Sequence, residues 1–194
     1  MKDRLGIFLQ NWRVRVVLPL LAGRVLDVGC GTNILANQYY LLTPPPTTHT
    51  PECGGLKRPK AVGVDVYPWE NIDLLIESAA HLPFADDSFD TVCCVAALNH
   101  IPEREAFLRE AVRLLTPQGK FIMTMLPAGI SRLWHRIRKP WDADQHDRGM
   151  VEGETFGFSH KQIDAMLYRN GLRLIASARF MLGLNTLYVA IPKE

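Results

Sequence analysis

The sequence predicts an α/β fold, a mostly parallel sheet covered by helices, with one reversed strand near its end. Three observations predict it. Short apolar runs alternate with helical patterns along the 194 residues, as they do where each strand is followed by a crossover helix. The first run ends in a glycine-rich turn, "VLDVGCGTN" from Val25 to Asn33. The last two runs lie too close together for a parallel crossover, which takes a dozen residues or more, and so form an antiparallel hairpin.

Taken in order, Met1 to Ala22 reads as a helix of the mature chain. Arg13 and Arg15 interrupt its apolar residues, and no small-residue cleavage site follows a continuous apolar run. Strands are predicted at Arg24–Val28, Ala61–Asp65, Ile72–Glu77, Phe89–Ala96, Gly119–Met125, Leu172–Arg179 and Thr186–Ile191. Between Arg104 and Leu115, the residues Phe107, Leu108, Ala111, Val112, Leu114 and Leu115 recur at helical spacing, and Thr116-Pro117-Gln118-Gly119 breaks that crossover helix. Ser159 and Gln162 have the spacing of a capping box that opens a last helix, which Asn170-Gly171 can end.

Two stretches fall outside this rhythm. "TPPPTTHTPECGGLKRP", about 43–59, is rich in proline, threonine and glycine and reads as an exposed insertion. The stretch at about 127–158 follows the fifth strand on the side where open parallel sheets bind ligands, which makes it a candidate substrate lid. The whole chain, 1–194, is expected to be a single domain, a size at which one core suffices.

Composition narrows the function classes. With 47% hydrophobic and 22% charged residues the chain is ordinary globular protein, and a net charge of +2 is no basic stripe for nucleic acid. No apolar run reaches the roughly 18 residues of a membrane span, so membrane contact is at most peripheral. The four cysteines, Cys30, Cys53, Cys93 and Cys94, show no CxxC spacing and fit a reduced, cytoplasmic compartment. Adjacent Cys93 and Cys94 should point to opposite faces of one strand, and Cys30 should pack in its turn rather than react.

The turn itself points to a nucleotide-like ligand. Gly29 and Gly31 let the backbone bend sharply after Asp27 and come close to a ligand with no Cβ between. A dinucleotide turn would carry its third glycine where Ile34 stands, which argues against a pyrophosphate. Asp65, at the end of the second strand, can accept hydrogen bonds from both hydroxyls of a ribose, or can cap the strand end and nothing more. It falls 34 residues after Gly31, and the excess over the usual spacing of about 20 is close to the length of the insertion.

With "VLDVGCGT", "GVDVYP", "HLPFADDSFDTV", "LNHIP" and "RLLTPQGKFIMTM" in this order, the chain resembles the class I S-adenosylmethionine-dependent methyltransferases, in particular the small-molecule, ubiquinone-biosynthesis-like branch of methyltransferase type 11. The resemblance runs from Val25 to Met125 and continues weakly through "FSHKQIDAMLYRNGLRLI". It implies a Rossmann-like, three-layer, seven-stranded sheet with the last strand antiparallel. It also implies S-adenosyl-L-methionine as cofactor and S-adenosyl-L-homocysteine as product. Asp27, Gly29 and Gly31 would surround its methionine part, a carboxylate receiving the ammonium. Asp65 would bind the ribose hydroxyls, and Leu82, Pro83 and Phe84 would lie beside the adenine. Cys30, Val66, Ser78, Ala79, His81 and Asn99 complete the implied cofactor-binding set, and His100 would border the transferable methyl with Asn99.

Three positions depart from the family's pattern. Asn33 stands where glycine is usual, and asparagine tolerates a left-handed backbone better than most residues. Ser78 stands where an adenine-binding aspartate is common, leaving Glu77, Ser78 or a backbone group for the adenine amine. The proline-rich insertion is the third.

Methyl transfer needs an in-line nucleophile about 3 Å from the methyl carbon, and a base only if that nucleophile carries a tightly held proton. His100 is the first candidate, in a catalytic or a structural role, and His146 the second. His135, His160, Asp142, Asp144 and Asp147 are further candidates. "WDADQHDRGM" matches no metal-binding loop, so no metal is expected. In "GISRLWHRIRKPW", Ile130, Leu133, Trp134, Ile137 and Trp141 fall near one helical face among Arg132, Arg136, Arg138 and Lys139. That face can pack on the sheet, meet a membrane surface or lipid-like substrate, or recognise an anionic group. The reading is therefore methyl transfer to the oxygen, nitrogen or carbon of a small-molecule acceptor. The alternatives are a non-catalytic cofactor-binding scaffold and, disfavoured by Ile34 and the terminal hairpin, a nicotinamide-dependent oxidoreductase.

Overall fold

The computed structural model describes residues 4–43, 60–126, 155 and 157–193. The insertion from residue 44 onward, Cys53, and nearly all of the candidate lid at 127–158 lie outside the described residues. Helix α1 (Arg4–Val17) runs through a short 3-10 turn into β1 (Val25–Val28), followed by α2 (Ile34–Leu42), β2 (Ala61–Asp65), β3 (Leu74–Leu75) and β4 (Phe89–Val95). Then come α3 (Arg104–Leu114), β5 (Leu115–Met125), α4 (His160–Arg169), β6 (Leu172–Phe180) and β7 (Asn185–Pro192). The seven strands form one sheet in the order β3-β2-β1-β4-β5-β7-β6, with β7 antiparallel to both of its neighbours. This is the expected sheet, and its reversed strand is the hairpin partner of β6.

β1 and β2 are buried at every residue, as strands covered on both faces must be. One core cluster joins Leu26, Val62, Cys94, Phe121 and Met123 to Phe107 and Leu108 of α3 and to Ile163 and Leu167 of α4. The other joins Val25, Ala61, Cys93 and Ile122 to Val14 and Val17 of α1 and Leu35, Ala36 and Tyr39 of α2. Cys93 and Cys94 thus face opposite layers, as period-2 alternation requires.

Where boundaries differ from expectation, specific contacts accompany the difference. β3 is two residues long rather than six. Leu74 pairs with Val64 and Leu75 with Asp65, flanked by the Asp73 amide donating to the Gly63 carbonyl at 3.0 Å and the Ile76 amide donating to the Asp65 carbonyl at 2.9 Å, while the Asp73 carboxylate accepts from the Gly63 amide at 2.9 Å. β5 starts at Leu115 rather than Gly119, because Leu115 pairs with Phe89 while Lys120 pairs with Thr91. Residues 116–119 bulge out between those pairs, so that Pro117, which has no N–H to donate, is accommodated. The capping box of α4 forms as expected: Ser159 Oγ accepts from the Gln162 amide at 3.3 Å, and Gln162 Oε1 accepts from the Ser159 amide at 2.8 Å.

Chain direction across the sheet matters for function. From β1 the chain moves outward to β2 and β3, then returns to place β4 on the other side of β1. Open α/β sheets bind ligands at such a reversal, outside the carboxyl ends of the strands.

Candidate functional site

A cleft of about 610 Å³ opens at that reversal, within the size range of small-molecule sites. Its floor is the turn after β1. Gly29 and Gly31 both have positive φ, +72° and +53°. A Cβ on Gly29 would come 2.5 Å from the Ala97 methyl, whereas one on Gly31 would project into open space. Asn33 takes the left-handed conformation at φ 57° and ψ 33°, so the turn is kept without the usual glycine.

Two carboxylates stand at the strand ends. Asp65 Oδ2 accepts from the Gly31 amide at 2.9 Å and Oδ1 from the Tyr67 amide at 3.0 Å, so it ties the end of β2 to the glycine turn. Each oxygen has a further lone pair to offer. Asp27 is only 2% exposed, and its Oδ1 has no hydrogen-bond partner among the described residues. Burial, reinforced by the neighbouring Asp65, pushes its pKa up to about 8. A buried carboxylate in this state fits a cationic partner, and the space over Gly31 fits a ligand backbone passing close to the turn.

The Cys30 thiol is held above its ordinary pKa by burial first and then by Asp27, Asp65 and Asp73, so it remains protonated. It lines the cleft as a small apolar group, in keeping with the packing role expected of it.

Of the cofactor-binding set expected from the sequence, Asp27, Gly29, Cys30, Gly31, Asp65, Val66, Ser78 and Ala79 border the cleft, and so does His100 from the 3-10 turn after β4. His81, Leu82 and Asn99 do not. Leu82 is 5% exposed within the first core cluster, its amide donating to Glu110 Oε1 at 2.8 Å. Phe84 meets Phe89 edge-on at 5.1 Å. Leu82, Pro83 and Phe84 thus do not border the cleft, whereas the apolar residues Ile76, Ala79 and Ile101 do. His81 lies exposed on the surface. Asn99 is buried, and its carbonyl accepts from the Thr155 amide at 3.0 Å. His160 opens α4 and stacks on Tyr188 at 5.6 Å, away from the cleft. His146, His135, Asp142, Asp144 and Asp147 lie outside the described residues.

Sequence reasoning missed two parts of the wall. Tyr67 and Trp69, paired at 4.6 Å, follow Asp65 and border the cleft. Their signal was present in "VDVYPWE", aromatic residues directly after the strand-end acid. The other part is α1, which contributes Gly6, Ile7, Gln10, Arg13 and Val14. Gln10 Nε2 donates to Thr32 Oγ1 at 3.2 Å and holds the helix against the glycine turn.

Comparison with known proteins identifies the family and the fold. The family model described as "Methyltransferase domain" matches residues 26–123. A ubiquinone/menaquinone biosynthesis C-methyltransferase from Rickettsia massiliae is 39% identical over 67 residues, 34% of this chain and 27% of that one. The 27-O-demethylrifamycin SV methyltransferase of Amycolatopsis mediterranei is 32% identical over 139 residues, 66% of this chain and 49% of that one. The chain thus spans between about a quarter and a half of these relatives' lengths. Among solved structures, a SAM-dependent methyltransferase from Aquifex aeolicus matches with TM-score 0.64 and 14% identity, over 93% of this chain and 89% of that one. The trans-methyltransferase CalH, solved with S-adenosylhomocysteine, matches with TM-score 0.63 and 16% identity, over 100% of this chain and 60% of that one.

Proposed function

Because the chain belongs to the methyltransferase domain family, we propose that its cleft holds S-adenosylmethionine and that it transfers the methyl group to a small-molecule acceptor. The observation that carries this reading is the Asp27 carboxylate, buried, unpartnered at Oδ1 and open to the same cleft as Asp65. When bound, the cofactor supplies an electrophilic methyl on a sulfonium. Asp27 receives the ammonium of the methionine part, and Asp65 receives the ribose hydroxyls with its remaining lone pairs. Ile76, Ala79 and Ile101 give an apolar wall suited to a flat ring, with Glu77 and Ser78 beside it to meet the adenine amine.

His100 borders the cleft at the carboxyl end of β4 and takes the proton from an acceptor that carries one. An oxygen, nitrogen or carbon nucleophile is compatible with this arrangement. The relatives' own names include a carbon methyltransferase and a demethylrifamycin methyltransferase. No helix among the described residues is long and apolar enough to cross a membrane. The free thiols of Cys30, Cys93 and Cys94 support a cytoplasmic location.

Calorimetric titration with S-adenosylhomocysteine, with NAD in parallel, tests the reading. Saturable binding of the former alone is expected, and no binding of it, or preference for NAD, overturns it. With an acceptor in hand, His100→Ala should lose turnover while S-adenosylhomocysteine binding is retained.

A further inference from the structure

We propose that Arg13 of α1 holds the carboxylate of the cofactor's amino-acid end, so that α1 reads that end of the molecule while Asp27 holds its ammonium. The inference rests on the proposed use of the cleft and adds a residue that neither motif nor turn contains.

The first observation is the placement of the helix. Gly6, Gln10, Arg13, Val14 and Val17 recur at helical spacing on one face of α1. Val14 and Val17 are 3% and 0% exposed in the core shared with α2, and Gln10 is bonded to Thr32 of the glycine turn. Arg13 lies between these two anchors along the helix, on the face turned to the cleft that Asp27 also borders. Gly6, Gln10 and Arg13 all border the cleft.

The second observation is charge. Among the described residues that line the cleft, the acids are Asp27, Asp65, Glu77 and Glu103, and Arg13 is the one arginine or lysine. The ligand brings two cationic centres, the sulfonium and the ammonium, and one anion. With Asp27 taken up by the ammonium, a ligand carboxylate with no cationic side chain at hand would be repelled by the other acids of the cleft, Asp65, Glu77 and Glu103. A guanidinium offsets that repulsion, and its planar fork matches the two carboxylate oxygens.

The test compares two ligands on three proteins by calorimetry. S-adenosylhomocysteine carries the carboxylate, and its decarboxylated analogue keeps the ammonium and lacks it. Wild type should prefer the former. Arg13→Gln should weaken S-adenosylhomocysteine about 10- to 100-fold and leave the analogue within about 2-fold. Arg13→Lys should recover part of the loss. Weakening of both ligands alike means that Arg13 only seats α1, and no weakening means that it does not touch the ligand. Either result overturns the proposal. Failure of the wild-type chain to bind S-adenosylhomocysteine at all would overturn the reading of the cleft itself, and with it the role of Arg13.

Discussion

Asp27 lies on a strand with no exposed residue, yet it is an acid with one oxygen that no described residue satisfies. An apolar or amide side chain would serve the fold better, which makes Asp27 a position where stability is given up for binding. The sign of the pH dependence follows. The folded chain keeps the proton up to about pH 8, whereas the unfolded chain releases it near 3.8. Between those values the folded state binds more protons, so ligand-free stability falls as pH rises. Asp27→Asn should melt higher than wild type at pH 8, by more than about 1 kcal/mol, with the gap closing toward pH 4. The same variant should lose S-adenosylhomocysteine binding. Melting curves at several pH values that run parallel for the two proteins would show that burial does not raise this carboxyl.

The turn between β1 and α2 is held from a distance. Asn33 Nδ2 donates to the Asn71 carbonyl and to Asp73 Oδ2, both at 2.8 Å, and so links the glycine turn to the loop that enters β3. Gly63 on β2 passes so close that a Cβ there would lie 1.9 Å from Asn33 Oδ1. Gly63→Ala must displace Asn33 from both bonds and should cost about 1 to 3 kcal/mol in urea unfolding. Adding Asn33→Gly removes the clashing side chain at a left-handed position that glycine accepts freely. The double variant should therefore be less destabilised than the sum of the singles by more than about 1 kcal/mol, and strict additivity would refute the contact.

The same element shows what could be read from the sequence. The two glycines and the left-handed asparagine are local and were legible, as were the capping box of α4 and the terminal hairpin. Asp73 is forty residues from Asn33, and no periodicity announces that its side chain will bond both Asn33 and Gly63. Leu82 looked like cofactor wall because its motif is read by order. The Glu110 carboxylate, which accepts from its amide and also pairs with Arg113 at 2.7 Å, draws that segment onto α3 instead. α1 was legible as a helix, while the face it turns to the cleft depended on Gln10 meeting Thr32.

Across the whole molecule the cleft is lined by α1, the β1 turn, the end of β2 through Trp69, Ile76–Ala79 and Val95–Glu103. No described residue after Glu103 takes part, so α4, β6 and β7 support the sheet without touching the site. Ligand binding should therefore leave an uneven mark on amide exchange. At a concentration 100 times its Kd, S-adenosylhomocysteine adds about 2.7 kcal/mol to global unfolding and slows by about 100-fold those amides that exchange only when the whole chain unfolds. β4 and β5, buried at the centre of the sheet, should show that uniform factor. Amides of α1 and of residues 29–33 exchange through local openings that also break the site, so they should slow as well. β6 is different, since among the described strands it pairs on one side only and most of its residues are exposed. It frays without disturbing the cleft, and its exchange should be unchanged. Protection that appeared along β6 while α1 stayed unaffected would place the ligand elsewhere on the molecule, because no opening of that strand is coupled to the cleft.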